Sequence, residues 1–142
     1  MGYLSSEGIL LRRQPQFETD QQIKLFTPDR GVLSVRVPYG QKSQKTHCGR
    51  LEPPNHLRVR IYQSRQDGPW TLSESELIDV YADLMGEEDL RQQLWPLLSL
   101  FHDLYPEGPH PGHGFQRFQK GLKLLKQGFR PALLVADRLL LK

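Results

Sequence analysis

QQIKLFTPDRGVLSVRV, residues 21–37, holds the two features that decide the fold. In PDRG (28–31), Pro28 presets φ and Gly31 supplies the permissive position that a reversal needs. Beyond that turn, Leu33, Val35 and Val37 fall on one face of a strand, and Ser34 and Arg36 on the other. The alternation returns in HLRVRIYQ (56–63), where Leu57, Val59 and Ile61 oppose His56, Arg58, Arg60 and Tyr62. Upstream, EGILLRR (7–13) is strand-like until Pro15 stops it. Downstream, QDGPW (66–70) closes a hairpin into WTLSESELIDV. About five short strands follow one another, with no helix long enough for a parallel crossover. The expected fold is α+β, with a small closed or partly open antiparallel barrel at its front, filled by the apolar faces.

If those faces fill the barrel, Arg36, Arg58 and Arg60 point outward, with Tyr62 and Tyr39 beside them. Guanidinium groups follow phosphates, and an aromatic ring can stack on an unpaired base for ~1–3 kcal/mol. The charge distribution agrees. Residues 1–70 carry 11 Lys/Arg against 6 Asp/Glu, whereas residues 71–142 carry 8 against 10. Between Arg30 and Arg65, eight basic residues face one acid, Glu52. The long connection VPYGQKSQKTHCGRLEP (37–53) adds Lys42, Lys45 and Arg50 and almost nothing that could enter a core. Connections of that length are usually functional or disordered. A polyanion, nucleic acid first among them, is the partner this pattern points to. A solvated basic surface is the plainer alternative.

The second half changes period. In LIDVYADLMGEEDLRQQLWPLLSLFHDLYP, Leu90, Leu94, Leu97, Leu98, Phe101 and Leu104 recur on one side of a helix. Glu87, Glu88 and Asp89 suit its positive end, and Pro96 must kink it or mark a break. After the turn-rich PEGPHPGHG comes FQRFQKGLKLLKQG, with Phe115, Phe118, Leu122 and Leu125 on one stripe and Gly128 as the stop. Its other faces carry Arg117, Lys120, Lys123 and Lys126. They fit an acidic partner peptide with apolar anchors, or simply the solvated side of a core helix.

Other chemistry finds little support. His47 with Cys48, and His110 with His113, lack a recognised ligand spacing, and a single cysteine makes a poor zinc cage. Nucleophilic use of Cys48 needs a positioned base, and neighbours on an extended chain point apart. No phosphate-loop fingerprint occurs, and GEEDL reads as a helix start. No cofactor is expected. Neither an export signal nor an apolar run approaching the ~20 residues of a bilayer span is visible. With no internal disulfide available, the expected location is the cytoplasm.

The order EGILLRRQPQFETDQQIKLFTPDRGVLSV, basic loop, GRLEPPNHLRVRIY, TLSESEL resembles the N-terminal domain of the RecO family of recombination mediators. FQRFQKGLKLLKQGFRPAL is similar to the family's helix RFELxLLxxLGxxP. The likeness covers Gln14 to Leu77 with few gaps, and the order of the motifs is its specific part. It implies an OB-fold barrel over residues 1–79 and a helical domain over 80–142. It further implies a nucleoid-associated role in DNA repair without a catalysed step. Family members bind single- and double-stranded DNA, anneal strands, recognise the acidic C-terminal tail of single-stranded-DNA-binding protein, and load RecA together with RecR. The implied DNA-binding set is Arg36, Lys42, Lys45, Arg50, Arg58, Arg60 and Tyr62. Arg117 matches the arginine of the RF motif and, with Lys120 and Lys123, makes the implied tail site.

Two departures stand out. Many members carry a four-cysteine zinc site after LGxxPxL, where RPALLVADRLLLK has no cysteine, and the remaining helices of the second domain do not follow. A naturally short relative and a piece of a longer chain both fit. Either leaves less material to cover Leu133, Leu134, Leu139, Leu140 and Leu141. A reading from another class is a non-catalytic protein-interaction module that kept the barrel, lost annealing and binds its partner through the helical half. A small hydrolase or transferase built on His and Cys groups ranks last.

Overall fold

The structure, a computed structural model, describes residues 2–16, 19–38, 50–104 and 114–128. Five strands come first: β1 (Gly2–Gln16), β2 (Asp20–Thr27), β3 (Gly31–Val37), β4 (His56–Gln63) and β5 (Trp70–Asp79). A short 3-10 turn (Ala82–Gly86) leads into helices α1 (Glu88–Leu104) and α2 (Gly114–Lys126). The strands close into a barrel in the order β1-β2-β3-β5-β4. Every pairing is antiparallel except the seam between β3 and β5, which joins Val35 to Trp70 and Arg36 to Thr71 in parallel. A five-stranded Greek-key barrel of this kind is the OB fold.

The barrel interior is apolar as the alternation requires. Ile23, Leu25, Val35, Val37, Leu57, Val59 and Ile61 fill it, with Leu10 and Leu72. At Gly8 a Cβ would sit 2.6 Å from Leu25 Cγ and 2.9 Å from the Phe26 carbonyl oxygen, so only glycine fits this close approach. β1 differs from expectation. It begins at Gly2 and runs through Pro15, which pairs with Gln21 one residue from the strand's end. Its first half pairs with β4 and its second with β2, and a register shift between Leu10 and Arg12 turns it from one neighbour to the other.

The larger departure is a second core outside the barrel. Ile9, Leu11, Phe26 and Val32 point outward and are buried beneath α1 and α2. Phe26 is the hub, with the rings of Phe115, Phe101 and Phe118 at 6.0, 6.3 and 6.4 Å. Leu25 and Phe26, adjacent on one strand, are therefore both buried, because both sheet faces are covered at that point. Helix α1 contributes Leu90, Leu94, Leu98 and Phe101 and continues past Pro96 without interruption. Leu104, expected on that stripe, is instead 56% exposed. Helix α2 buries its expected stripe of Phe115, Phe118, Leu122 and Leu125, and Gly128 follows it at φ 94°.

Asn55 fastens the two cores together. Its Oδ1 accepts hydrogen bonds from the backbone N–H groups of Tyr81 and Ala82, each at 2.8 Å. Its Nδ2 donates to the Arg50 carbonyl, and its own carbonyl accepts from the Leu10 N–H. One buried amide thus holds the end of the β3–β4 connection, the β1 bulge and the entry to the helices in fixed relation.

Candidate nucleic-acid interface

The registers carry one row of side chains around the barrel's exterior. Arg36 on β3 pairs with Thr71 on β5, Thr71 with Tyr62 on β4, and Tyr62 with Tyr3 on β1. Cross-strand partners share a face, so at ~4.8 Å per strand this row spans roughly 14 Å. Its far end is an aromatic and cationic cluster. The Tyr3 and Tyr62 ring centroids lie 5.5 Å apart, and the Arg60 guanidinium sits 4.6 Å from the Tyr3 centroid. Tyr3 is 64% exposed, so one ring face stays available to solvent.

Arg58 and Arg60 are exposed on β4, as their parity predicts. Their neighbours were not visible in that parity. Arg58 lies between Glu7 on β1 and Glu76 on β5, and Arg60 lies between Ser5 and Glu74. The Arg58 Nη1 to Glu76 Oε1 distance is 3.9 Å. Carboxylates interleaved with guanidiniums lower the local potential felt by a phosphate.

The outer face of β1, β2 and β3 is different. Arg12 pairs with Lys24, and Lys24 with Ser34; alongside, Gln14 pairs with Gln22, and Gln22 with Arg36. A cleft of about 560 Å³ opens here between Gln16, Gln22, Ser34, Arg36 and the β4–β5 turn at Gly68–Trp70. This strand face, with the loop between strands 4 and 5, is where OB folds commonly take oligonucleotides. The Arg36 Nε donates to Asp20 Oδ2 at 2.6 Å, which holds the guanidinium in place over the cleft.

The other expected site residues are distributed elsewhere. The Arg50 Nη1 donates to the Ser75 carbonyl at 2.6 Å, so this side chain ties the connection to β5. Lys42, Lys45, Tyr39, His47, Cys48, His110 and His113 lie outside the described residues, as do the leucines of 133–141. On α2, Lys120 and Lys123 are exposed and Arg117 is half-buried. Among the described residues no group of three or more His, Cys, Asp or Glu could hold a metal ion, and no helix is long and apolar enough to cross a membrane.

Sequence reading missed Tyr3, Arg12 and Lys24. Arg12 and Gln14 do alternate, as do Gln22 and Lys24, but the bulge at Leu11 conceals which parity faces outward. Tyr3 sits in MGYLSS, whose polar composition gives no strand signal.

An OB barrel with a polar, cationic and aromatic exterior, part of which is covered by helices, defines an oligonucleotide-binding-fold protein of the α+β class. The family model for the N-terminal part of recombination protein O matches residues 1–81, and the chain belongs to the RecO family. The DNA repair protein RecO of Koribacter versatilis is 36% identical over 83 residues, covering 58% of this chain and 33% of that protein. The DNA repair protein RecO of Solidesulfovibrio magneticus is 31% identical over 75 residues, covering 53% and 30% respectively. The matches thus span about a third of the relatives' length. Among solved structures, the S. pombe Stn1–Ten1 complex gives a TM-score of 0.43 at 14% identity, covering 70% of this chain and 78% of that one.

Proposed function

We propose that this chain binds DNA, single strands above all, along its barrel exterior in recombinational repair. The observation that carries the reading is the Arg60–Tyr3–Tyr62 cluster, joined in one row to Arg36. Stacked bases and tracked phosphates are the two things such a surface can hold at once. Arg36, Arg58, Arg60 and Tyr62 act there together with Tyr3, Arg12 and Lys24, and Lys42 and Lys45 are assigned to the site by sequence. Strand annealing and recombinase loading with RecR- and RecA-like proteins, without a catalysed chemical step, belong to the same proposal, with family membership as their support. Arg117, Lys120 and Lys123 are assigned to an acidic tail of single-stranded-DNA-binding protein. The domain division at residues 79 and 80 belongs to the same proposal.

A second reading has its own observation. Glu7, Glu74 and Glu76 surround the β4 arginines, and a mixed-charge strand face suits a protein partner. Fluorescence anisotropy of a labelled single-stranded oligonucleotide, titrated at 50 and then 200 mM salt, separates the two. DNA binding predicts affinity at the lower salt and a loss with log K falling about 0.7 per phosphate contact for each decade of salt. No binding at 50 mM salt would overturn it in favour of the protein-interaction module.

A further inference from the structure

A groove of about 730 Å³ runs between the second half of β1 and helix α1. Arg12, Arg13 and Gln14 form one wall, and Arg91, Trp95 and Leu98 the other. Arg13 is occupied, donating to the Leu51 carbonyl and pairing with Glu52 at 2.8 Å. Arg12 and Arg91 have no ion-pair partner among the described residues and are both exposed. Trp95 stands one helical turn beyond Arg91 on the same face of α1, as i, i+4 residues do, and is 57% exposed. A large aromatic side chain left in solvent beside two guanidiniums that have no ion-pair partner among the described residues is the combination that holds an unstacked base and its phosphate.

Continuity supports the same occupant. Gln14 lines this groove and Gln22 lines the Arg36 cleft, and the two amides are joined by a hydrogen bond of 3.0 Å from Gln14 Nε2 to Gln22 Oε1. One side-chain pair therefore separates the two concavities. Asp103 and Glu52 also line the groove, which disfavours an acidic peptide more than a strand whose phosphates can keep to the Arg12 and Arg91 side. From this we infer that the β1–α1 groove is a second single-stranded nucleic-acid subsite, with Trp95 as its stacking platform and Arg12 and Arg91 as its phosphate contacts. The inference rests on the DNA-binding reading above and extends the path from the barrel onto the helical half.

Tryptophan fluorescence with an unlabelled oligothymidine, alongside anisotropy with a labelled one, tests it on the full chain. Trp95 and Arg91 are exposed, so their replacement leaves both cores intact. Oligothymidine should quench the wild-type emission, in part through Trp70 in the Arg36 cleft, and Trp95→Ala should remove the remainder of that quench and leave only the Trp70 share. Trp95→Ala should also weaken binding roughly tenfold, Trp95→Phe should restore most of the affinity, and Arg91→Ala should lower the salt slope by about 0.7. Normal affinity and an unchanged quench in Trp95→Ala, with DNA still bound, would overturn the groove and leave the barrel face standing. Absence of oligonucleotide binding in the wild type would overturn both. Quenching of Trp95 by an Asp/Glu-rich peptide and not by oligothymidine would reassign the groove to a protein partner.

Discussion

Arg60 carries its guanidinium over the ring of Tyr3, 4.6 Å from the centroid, and so joins the first residues of the chain to the middle of β4. Tyr62 completes the cluster from the neighbouring register position. Because Tyr3 is the more exposed ring, Tyr3→Ala should cost single-strand affinity more than Tyr62→Ala. Each loss should fall within the ~1–3 kcal/mol typical of one stacked base, with a smaller effect on duplex. Paired anisotropy titrations with single- and double-stranded oligonucleotides check this. Equal losses on both would mean that the rings shape the surface and do not stack on bases.

The charge neighbours of the arginines predict an inequality between strands. Arg58 is hemmed by Glu7 and Glu76, so Arg58→Ala should weaken binding less than Arg60→Ala, while Glu74→Gln with Glu76→Gln should tighten it at low salt. Lys24→Ala, on the glutamine-rich face, should lower the magnitude of the salt slope by about 0.7 on single strands. Arg36 needs a paired variant. Its partner Asp20 is 5% exposed, and leaving that carboxylate without its guanidinium would confuse stability with binding. Arg36→Gln combined with Asp20→Asn avoids this. A slope untouched by either Lys24→Ala or the double variant would remove the β1–β2–β3 face from the contact.

How much of this was legible beforehand follows from what period alone encodes. Alternation in 32–37 and 56–63 placed Arg36, Arg58 and Arg60 outside the barrel, and the 3.6-residue period placed Phe115 to Leu125 on one stripe. A local pattern says which face a residue occupies, not what covers it. Phe26 and Val32 share the exterior with Arg36, yet they lie beneath two helices. His56 shares a face with Arg58 and Arg60 and is 2% exposed, because the Phe115 ring packs against it with centroids 5.7 Å apart. Likewise Glu74 and Glu76 become neighbours of the β4 arginines only once the β4–β5 register is fixed. The groove beside Trp95 needs two elements far apart in sequence, so no motif marks it.

Asn55 supplies a stability prediction. It is 1% exposed, and its amide oxygen serves two backbone donors at the junction of barrel and helices. Asn55→Ala would strand the Tyr81 and Ala82 N–H groups where water has little access, at about 1–3 kcal/mol for each unsatisfied donor. The urea midpoint should fall accordingly, with the slope unchanged if both cores still unfold together. Asn55→Asp keeps the acceptor but loses the donor to the Arg50 carbonyl, and should lie between alanine and wild type. A midpoint within error of wild type for Asn55→Ala would show that the junction is held by packing alone.

His56 sets the expected pH response of the same junction. Neither ring nitrogen makes a well-formed hydrogen bond; Glu7 Oε2 from β1 is 3.4 Å away and Asp79 Oδ2 from β5 is 3.9 Å away. Burial lowers its pKa below the ordinary 6.5, and Lys123 on α2 acts in the same direction, while the two carboxylates oppose them without prevailing. The sign follows from linkage. Below about pH 6.5 the unfolded chain takes up a proton that the folded chain resists, so stability present above that pH is lost as pH falls toward the folded pKa. The melting temperature should therefore drop between pH 7.5 and pH 5.5. His56→Gln, of similar polarity but without a titrating group, should flatten that part of the profile whatever its own starting stability. A wild-type profile already flat across this range, or one equally steep in His56→Gln, would move the proton linkage to another group and leave the histidine as packing between β4 and α2.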